Sequence, residues 1–327
     1  MSKRLDLIRH WLFDELSLPK TSVELASSDA SFRRYFRIET PEGRRIVMDA
    51  PPQHEDIRPF ESIARQLATH GVHVPHVYAS CAERGLMLLE DLGNTPYLAR
   101  LSTESAEILY RDALATLLHI QSCPADELPR YGQGLLMREM HLFDEWFLQR
   151  QLGLHLTDDD RALLQDVYTQ LAARAVAQPQ AFVHRDFHSR NLMVTNDRSP
   201  GVIDFQDAVS GPITYDLVSL LRDSYIEWPE QRVQQWARDF HGLLITHGTQ
   251  PPGWDQFWTD FNWISAQRHL KVAGIFARLN LRDGKSDYLK DIPLTLRNMH
   301  HAMRPYPEFS QFLIWLDERL ADTDFVS

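Results

Sequence analysis

"FVHRDFHSRNLMV", residues 182–194, sets His184, Arg185, Asp186, His188, Arg190 and Asn191 between apolar ends. A buried strand would leave these polar groups without partners, so the middle of the run is a loop. It continues as "NLMVTNDRSPGVIDFQDA" (191–208), in which "NLMVT" and "GVIDF" have strand composition and "NDRSP" is turn chemistry. An antiparallel hairpin pairing Leu192 with Ile203 and Met193 with Val202 would bring Asn191 and Asp204 to one end, just downstream of Asp186. Polar loops are usually only solvated, but three such groups converging on one hairpin end call for a reason. An amide oxygen and a carboxylate are hard ligands that suit Mg²⁺ and, through it, phosphates. The remaining carboxylate can accept a proton from an attacking hydroxyl. Those are the parts of phosphoryl transfer.

The bulk properties leave room for this reading and close off others. The chain has 327 residues, 43% of them hydrophobic and 24% charged, which is ordinary globular composition with room for about two domains. A net charge of −11 argues against nucleic acid or an anionic membrane as partner. Cys81 and Cys123 lie far apart without metal-ligand spacing, which suits a reducing cytoplasm. The opening "MSKRLDLIRHWLFDELSL" lacks the apolar stretch of a signal peptide, and no run reaches the length of a membrane span. Its Leu5, Ile8, Trp11, Leu12 and Leu16 instead recur at helical spacing.

After that helix the period changes. "RRYFRIET" (33–40) and "RRIVMDA" (44–50), joined by Pro41-Glu42-Gly43, predict a hairpin. A helix over 60–71 and two short strands, "HVYAS" and "GLMLLEDL", follow. Beyond residue 91 the pattern is mainly helical: about 103–121, 134–151, 157–177, 214–225, 230–247, 253–282 and 307–321. The expected organisation is therefore α+β, with a strand-rich lobe (1–91) and a helical lobe (92–327) joined near Glu90–Gly93.

His184-x-Asp186-x-His188-x-x-Asn191, then Ile203-Asp204-Phe205-x-Asp207-Ala208 and the Tyr215-Asp216-Leu217 helix start, is similar to the aminoglycoside phosphotransferase family of small-molecule kinases. A protein kinase fits less well. Such enzymes carry Lys where His188 stands, and they need a longer activation segment than residues 205–215 provide. The resemblance in motif order runs from about residue 22 to 300. It implies a bilobal protein-kinase-like fold, with 1–91 as a nucleotide-binding lobe and 92–327 as the catalytic and substrate lobe. It also implies ATP and Mg²⁺, with Asp186 as base, Asn191 and Asp204 as metal ligands, and His184 and Asp216 as supports of the catalytic loop. Asp207 is left open between a site role and a structural one.

Longer stretches, "DASFRRYFR" (29–37), "VMDAPP" (47–52) and "QRHLKVAGIFARLNLRDGK" (267–285), resemble the bacterial anomeric amino-sugar kinases of peptidoglycan recycling. That resemblance implies a cytoplasmic enzyme acting on C1 of N-acetylmuramate and N-acetylglucosamine. Its sugar 1-phosphate would pass to a nucleotidyltransferase. A kinase of an aminoglycoside, choline or amino alcohol, or an inactive nucleotide-binding scaffold, remain the alternatives.

The first lobe departs from the family pattern. Its phosphate-binding loop would fall at "SSDASF" (27–32), which has no glycine; Ser28 and Ser31 are its candidate contacts. The lysine expected on the second hairpin strand is Met48, and the helix acid that would pair with it is Glu61. Period two sets Arg34 on one face with Phe32, Phe36 and Ile38, making it a candidate substitute cation, with Arg33 and Arg45 as rivals. Glu90 and Leu92 are carried over as adenine contacts at the hinge. For the substrate, His188 and Arg190 flank Asp186. Trp263, Gln267 and Lys271 recur every four residues on one helix face, with Arg268 beside them. The late tryptophans 228, 236, 254, 258 and 263 are either a cation cage or helix packing.

Overall fold

The computed structural model describes residues 2–28 and 32–325. In chain order it begins with helix α1 (Ser2–His10), running on through a wide turn Trp11–Glu15. Strands β1 (Glu24–Ser28), β2 (Arg34–Thr40) and β3 (Gly43–Asp49) follow, then α2 (Arg58–Thr69), β4 (Val77–Cys81) and β5 (Leu86–Glu90). Next come α3 (Ala106–Gln121), α4 (Gln133–Leu142), extended by wide turns over Phe143–Gln151, and α5 (Asp158–Ala177). Short strands β6 (Gln180–Val183), β7 (Leu192–Met193), β8 (Gly201–Val202) and β9 (Val209–Pro212) precede α6 (Tyr215–Leu221) and α7 (Glu230–Thr246). Helices α8 (Trp254–Asp283), α9 (Ile292–Met303) and α10 (Ser310–Leu320) complete it.

Two compact units result. Met1–Pro96 groups with Leu192–Asp207, and Tyr97–Asn191 groups with Ala208–Ser327. The first unit is an antiparallel sheet in the order β1-β2-β3-β5-β4, with α1 and α2. Ile8, Trp11 and Leu12 of the first helical segment pack on Phe36, Ile38, Val47, Leu86 and Leu88, one face of the sheet. Burying each such side chain contributes about 1.5–3 kcal/mol. Polar contacts tie the same helix down: Arg4 and Arg34 both bind the fully buried carboxylate of Asp49. The β2–β3 turn needs Gly43, whose φ is 113°.

The second unit is organised around α8, which is buried along most of its 30 residues. It crosses the end of α4 closely: a Cβ on Gly274 would meet the carbonyl carbon and oxygen of Leu142 at 2.3 and 2.4 Å. Helix α5 opens with a capping box. Thr157 Oγ1 accepts the N–H of Asp160, and Asp160 returns the bond to the N–H of Thr157. The late tryptophans pack among themselves and their neighbours, as in Tyr110–Trp236 and Trp254–Trp258–Phe261.

Several expectations are corrected. The hairpin after the catalytic loop pairs Leu192 with Val202 and Met193 with Gly201, one residue off the predicted register. Val194 leaves the hairpin to donate to Thr95, Val202 donates to His73, and the N–H of Asn191 turns back to His188. The hairpin is therefore only two pairs long, and flat period-two pairing gave too little to set its register. The sequence pattern assigns no element to strand β1, whose end overlaps the loop expected at 27–32, because an exposed edge strand carries no apolar alternation. The β6–β9 pair is too short to show a period. Helix α9 went unrecognised although Ile292, Thr295, Leu296 and Met299 recur at helical spacing and are buried. Helix α6 stops at Leu221, short of the expected residue 225.

Candidate active site

The catalytic loop hangs from Asp216. Its fully buried carboxylate accepts the backbone N–H of His184 at 2.6 Å and of Arg185 at 3.0 Å. Burial pushes this carboxyl up to about 7, against the pull of those two N–H groups and Arg268. Arg185 sits at φ 78°, a left-handed conformation that the paired N–H bonds stabilise. His184 is fully buried, and its Nδ1 accepts the N–H of Asp186 at 3.2 Å. Asn191 donates from Nδ2 to the carbonyl of Asp186 at 3.0 Å, closing the loop on itself. Asp223 grips the middle through the N–H and hydroxyl of Ser189.

The Asp186 side chain is 42% exposed, so solvent and ligand can reach it. Partial burial would raise its carboxyl, but Lys271, Arg268, His188 and Arg185 outweigh that and hold it down to about 2. Arg268 NH2 lies 3.9 Å from Asp186, while its NH1 donates to the carbonyl of Arg185 at 2.8 Å. Behind the loop is a buried polar cluster. Glu139 takes Arg185, Tyr131 and Lys271, the last at 3.1 Å, and Lys271 also donates to Tyr215 at 3.2 Å. Burial would raise the Glu139 carboxyl, yet Lys271 and Arg185 hold it below the ordinary value. Asp186 is thus an ionised, accessible carboxylate on a rigid backbone, able to orient a hydroxyl.

In the first unit Asp204 has φ 65° and accepts Gln206 Nε2 at 2.9 Å. Arg33 NH1 stands 3.9 Å away, and Arg33 also faces Glu55 and Asp207. Met48 is buried and pairs with Tyr35 and Met87 across the sheet. Glu61 bonds the hydroxyl of Ser80 at 3.0 Å and Arg65 at 3.2 Å in place of a lysine.

An acidic residue centred on a His-x-Asp loop, and an Asp-bearing segment twelve residues before its Asp216 buttress, match a known model. Residues 22–256 match the model of the phosphotransferase enzyme family. The chain belongs to this family. It is an ATP-dependent kinase. A protein of Pseudomonas putida named N-acetylmuramate/N-acetylglucosamine kinase is 42% identical, covering 94% of each chain. A protein of the same name from Neisseria meningitidis is 39% identical over 97% of this chain and 96% of its own. Among solved structures, ADP-bound aminoglycoside phosphotransferase APH(2'')-Ib superposes with a TM-score of 0.59 at 16% identity, covering 90% of this chain and 98% of that one. Choline kinase LicA from Streptococcus pneumoniae gives 0.63 at 12%, covering 91% and 99%. The fold is the bilobal kinase-like one that the family resemblance implied. No helix among the described residues is long and apolar enough to cross a membrane.

His184, Asp186, His188, Arg190 and Asn191 lie on one loop, and Asp216, from the start of α6, holds that loop through the N–H groups of His184 and Arg185. Other candidates are placed differently. Arg34 lies on the sheet face under α1, bound to Asp49, whereas Met48 alternates to the opposite face, so Arg34 is not where a missing lysine would act. Arg33, one residue earlier, faces Asp204. Arg45 stands over the Tyr78 ring. Trp263 is 8% exposed and packs on Phe309 and Tyr306, and Gln267 is fully buried, so neither presents an open surface. Lys271 and Arg268 are buried beneath the loop and act on Asp186 from behind. Glu61 and Glu90 line one cavity of 520 Å³, and Leu92 packs against Gly201. Ser28 ends β1 opposite Arg34, and Ser31 lies outside the described residues. Glu139, Tyr131 and Asp223 were missed; Asp223 stands in "DLVSLLRD", whose spacing after Asp216 was a usable signal.

Proposed function

We propose that this kinase phosphorylates the anomeric hydroxyl of N-acetylmuramate and N-acetylglucosamine. The observation that carries the reading is 39–42% identity, over nearly the full length, to relatives named as kinases of these two sugars, joined to an intact Asp186 loop; the anomeric position is what the family resemblance implies. Asp186 orients the C1 hydroxyl and takes its proton as the oxygen attacks the γ-phosphoryl group of ATP. The new O–P bond forms as the bond to the β-phosphate breaks, and ADP leaves. A carboxylate held near 2 is a weak base, so its first contribution is orientation, with the proton arriving late.

Asn191 and Asp204 each carry a hard oxygen donor of the kind Mg²⁺ takes, and they are the residues that the family resemblance would assign to it. When bound, the ion supplies charge neutralisation at the phosphates. Arg33 is the proposed replacement for the lysine absent at Met48, because it alone of the three candidate arginines stands beside Asp204. Glu90 and Leu92 are the proposed adenine contacts, through their backbone. His188 and Arg190 are the proposed sugar contacts. The reading places the enzyme in the cytoplasm, with its sugar 1-phosphate passed to a nucleotidyltransferase.

The test is ADP release from Mg-ATP with N-acetylmuramate, N-acetylglucosamine, choline and kanamycin, beside Asp186→Asn. Turnover of the two amino sugars, reduced by about 10²–10⁴-fold in the variant, is the expected result. Turnover of choline or kanamycin alone would overturn the substrate and leave the reaction class.

A further inference from the structure

In the second unit, Tyr225, Phe276 and Tyr288 form three sides of an aromatic box. Phe276 stacks on Tyr288 at 5.3 Å and leans on Tyr225 at 6.0 Å. Asp291 stands at its edge with a buried carboxylate oxygen that takes no hydrogen bond. Three aromatic faces and an acid are the composition of a site for an organic cation. This box already contains one. The guanidinium of Arg190 lies 3.6 Å from the centre of the Tyr225 ring and 5.6 Å from that of Tyr288.

Arg190 is held by its face and not by its edge. Its nearest carboxylate, Asp291, is 3.9 Å away, beyond hydrogen-bond distance, and no described residue accepts a hydrogen bond from it. Its side chain is 36% exposed. A planar fork of donors, fixed in orientation by a tyrosine and uncommitted, is suited to a carboxylate in two-point contact. It follows Asp186 by four residues on the same rigid loop. His188 lies between them in sequence, its ring edge-on to Tyr225 at 5.4 Å and its buried Nδ1 without a partner.

We propose that Arg190, docked in the Tyr225–Tyr288 box, gives this enzyme a preference for acceptors that carry a carboxylate and closes the box to cationic ones. The inference rests on the amino-sugar reading above and deepens it. N-acetylmuramate has a lactyl carboxylate and N-acetylglucosamine lacks one, so the pair of sugars isolates the contact. Arg190 is a specificity residue here: the guanidinium binds the carboxylate, and the tyrosines set its plane.

The experiment measures kcat/KM for both sugars in the wild-type enzyme, Arg190→Met and Arg190→Lys. The expected result is a fall of about 10-fold or more in the N-acetylmuramate to N-acetylglucosamine ratio for the Met variant. The Lys variant, which keeps the charge but not the fork, should recover part of it. A ratio unchanged in both variants overturns the inference even if both rates drop. Should the Met variant be inactive on both sugars, the Lys ratio alone decides in the same way. Wild-type enzyme that turns over neither sugar overturns the amino-sugar reading itself, and this inference with it.

Discussion

Asp216 Oδ2 accepts the backbone N–H of His184 at 2.6 Å, across 32 residues of chain. With its second oxygen on Arg185, one side chain sets the path of the backbone into Asp186. Asp216→Ala would remove the carboxylate that accepts both N–H groups, at about 1–3 kcal/mol each. A loop displaced by about an ångström loses on the order of 10²-fold in rate. We expect kcat to fall by at least that factor while KM for ATP changes little, measured by steady-state kinetics.

The same carboxyl links stability to pH. Its folded value of about 7 is above the ordinary unfolded value near 4, so between these limits the folded state binds more protons. This contribution is greatest below pH 4 and is lost as pH rises to 7, by about 1.4 kcal/mol per unit at the steepest. Urea unfolding at pH 5 and pH 8 should show the decline in the wild type. Asp216→Asn, which cannot ionise, should lack that component.

Glu139 is the shared partner of Arg185 and Lys271 beneath the loop. Glu139→Leu takes the shared carboxylate from two largely buried cations and should cost about 3–5 kcal/mol in urea unfolding. Adding Lys271→Met should return part of the loss, which a double-mutant cycle would read as coupling. Additive losses would show that Glu139 and Lys271 act separately.

Arg33 and Arg34 are neighbours in sequence with opposite surroundings. Arg33→Met should raise KM for ATP by about 10-fold, the loss of one charged contact. Arg34→Met takes one of two partners from buried Asp49 and should lower stability by about 1–3 kcal/mol, with KM for ATP little changed. Equal effects on KM would remove the distinction.

Gly274→Leu tests the crossing of α8 and α4. Backbone atoms of Leu142 and Phe143 stand within 2.6 Å of the added Cβ, and backbone gives way less readily than a side chain. Thermal unfolding should fall by the equivalent of about 3 kcal/mol or more, and Gly274→Ala by less.

The catalytic loop, the first hairpin and most helices were legible because their signals are local. His184, Asp186 and Asn191 sit within one turn-rich segment, and Ile8, Trp11 and Leu12 repeat at a helical period that burial confirms. Departure from the family pattern at Met48 was legible too. Which neighbouring arginine faces Asp204 was not, because a strand's two faces are equivalent until something packs on one of them. Helix α1 covers the Arg34 face, its Arg4 sharing Asp49 with Arg34, while Arg33 faces Glu55 and Asp204.

Residue order by itself determined the reaction class, because the groups that transfer a phosphoryl group are carried on a short stretch of chain whose spacing is their geometry. The tertiary structure decided which side chains surround that stretch. Glu139 reaches Arg185 across 46 residues, and Tyr288, which follows α8 in the chain, reaches Arg190. Helical periodicity gave Trp263 and Gln267 the right common face but the wrong surroundings, since a stripe reads alike whether it meets ligand or core. Burial depends on what the rest of the chain packs there, and no local spacing carries that information.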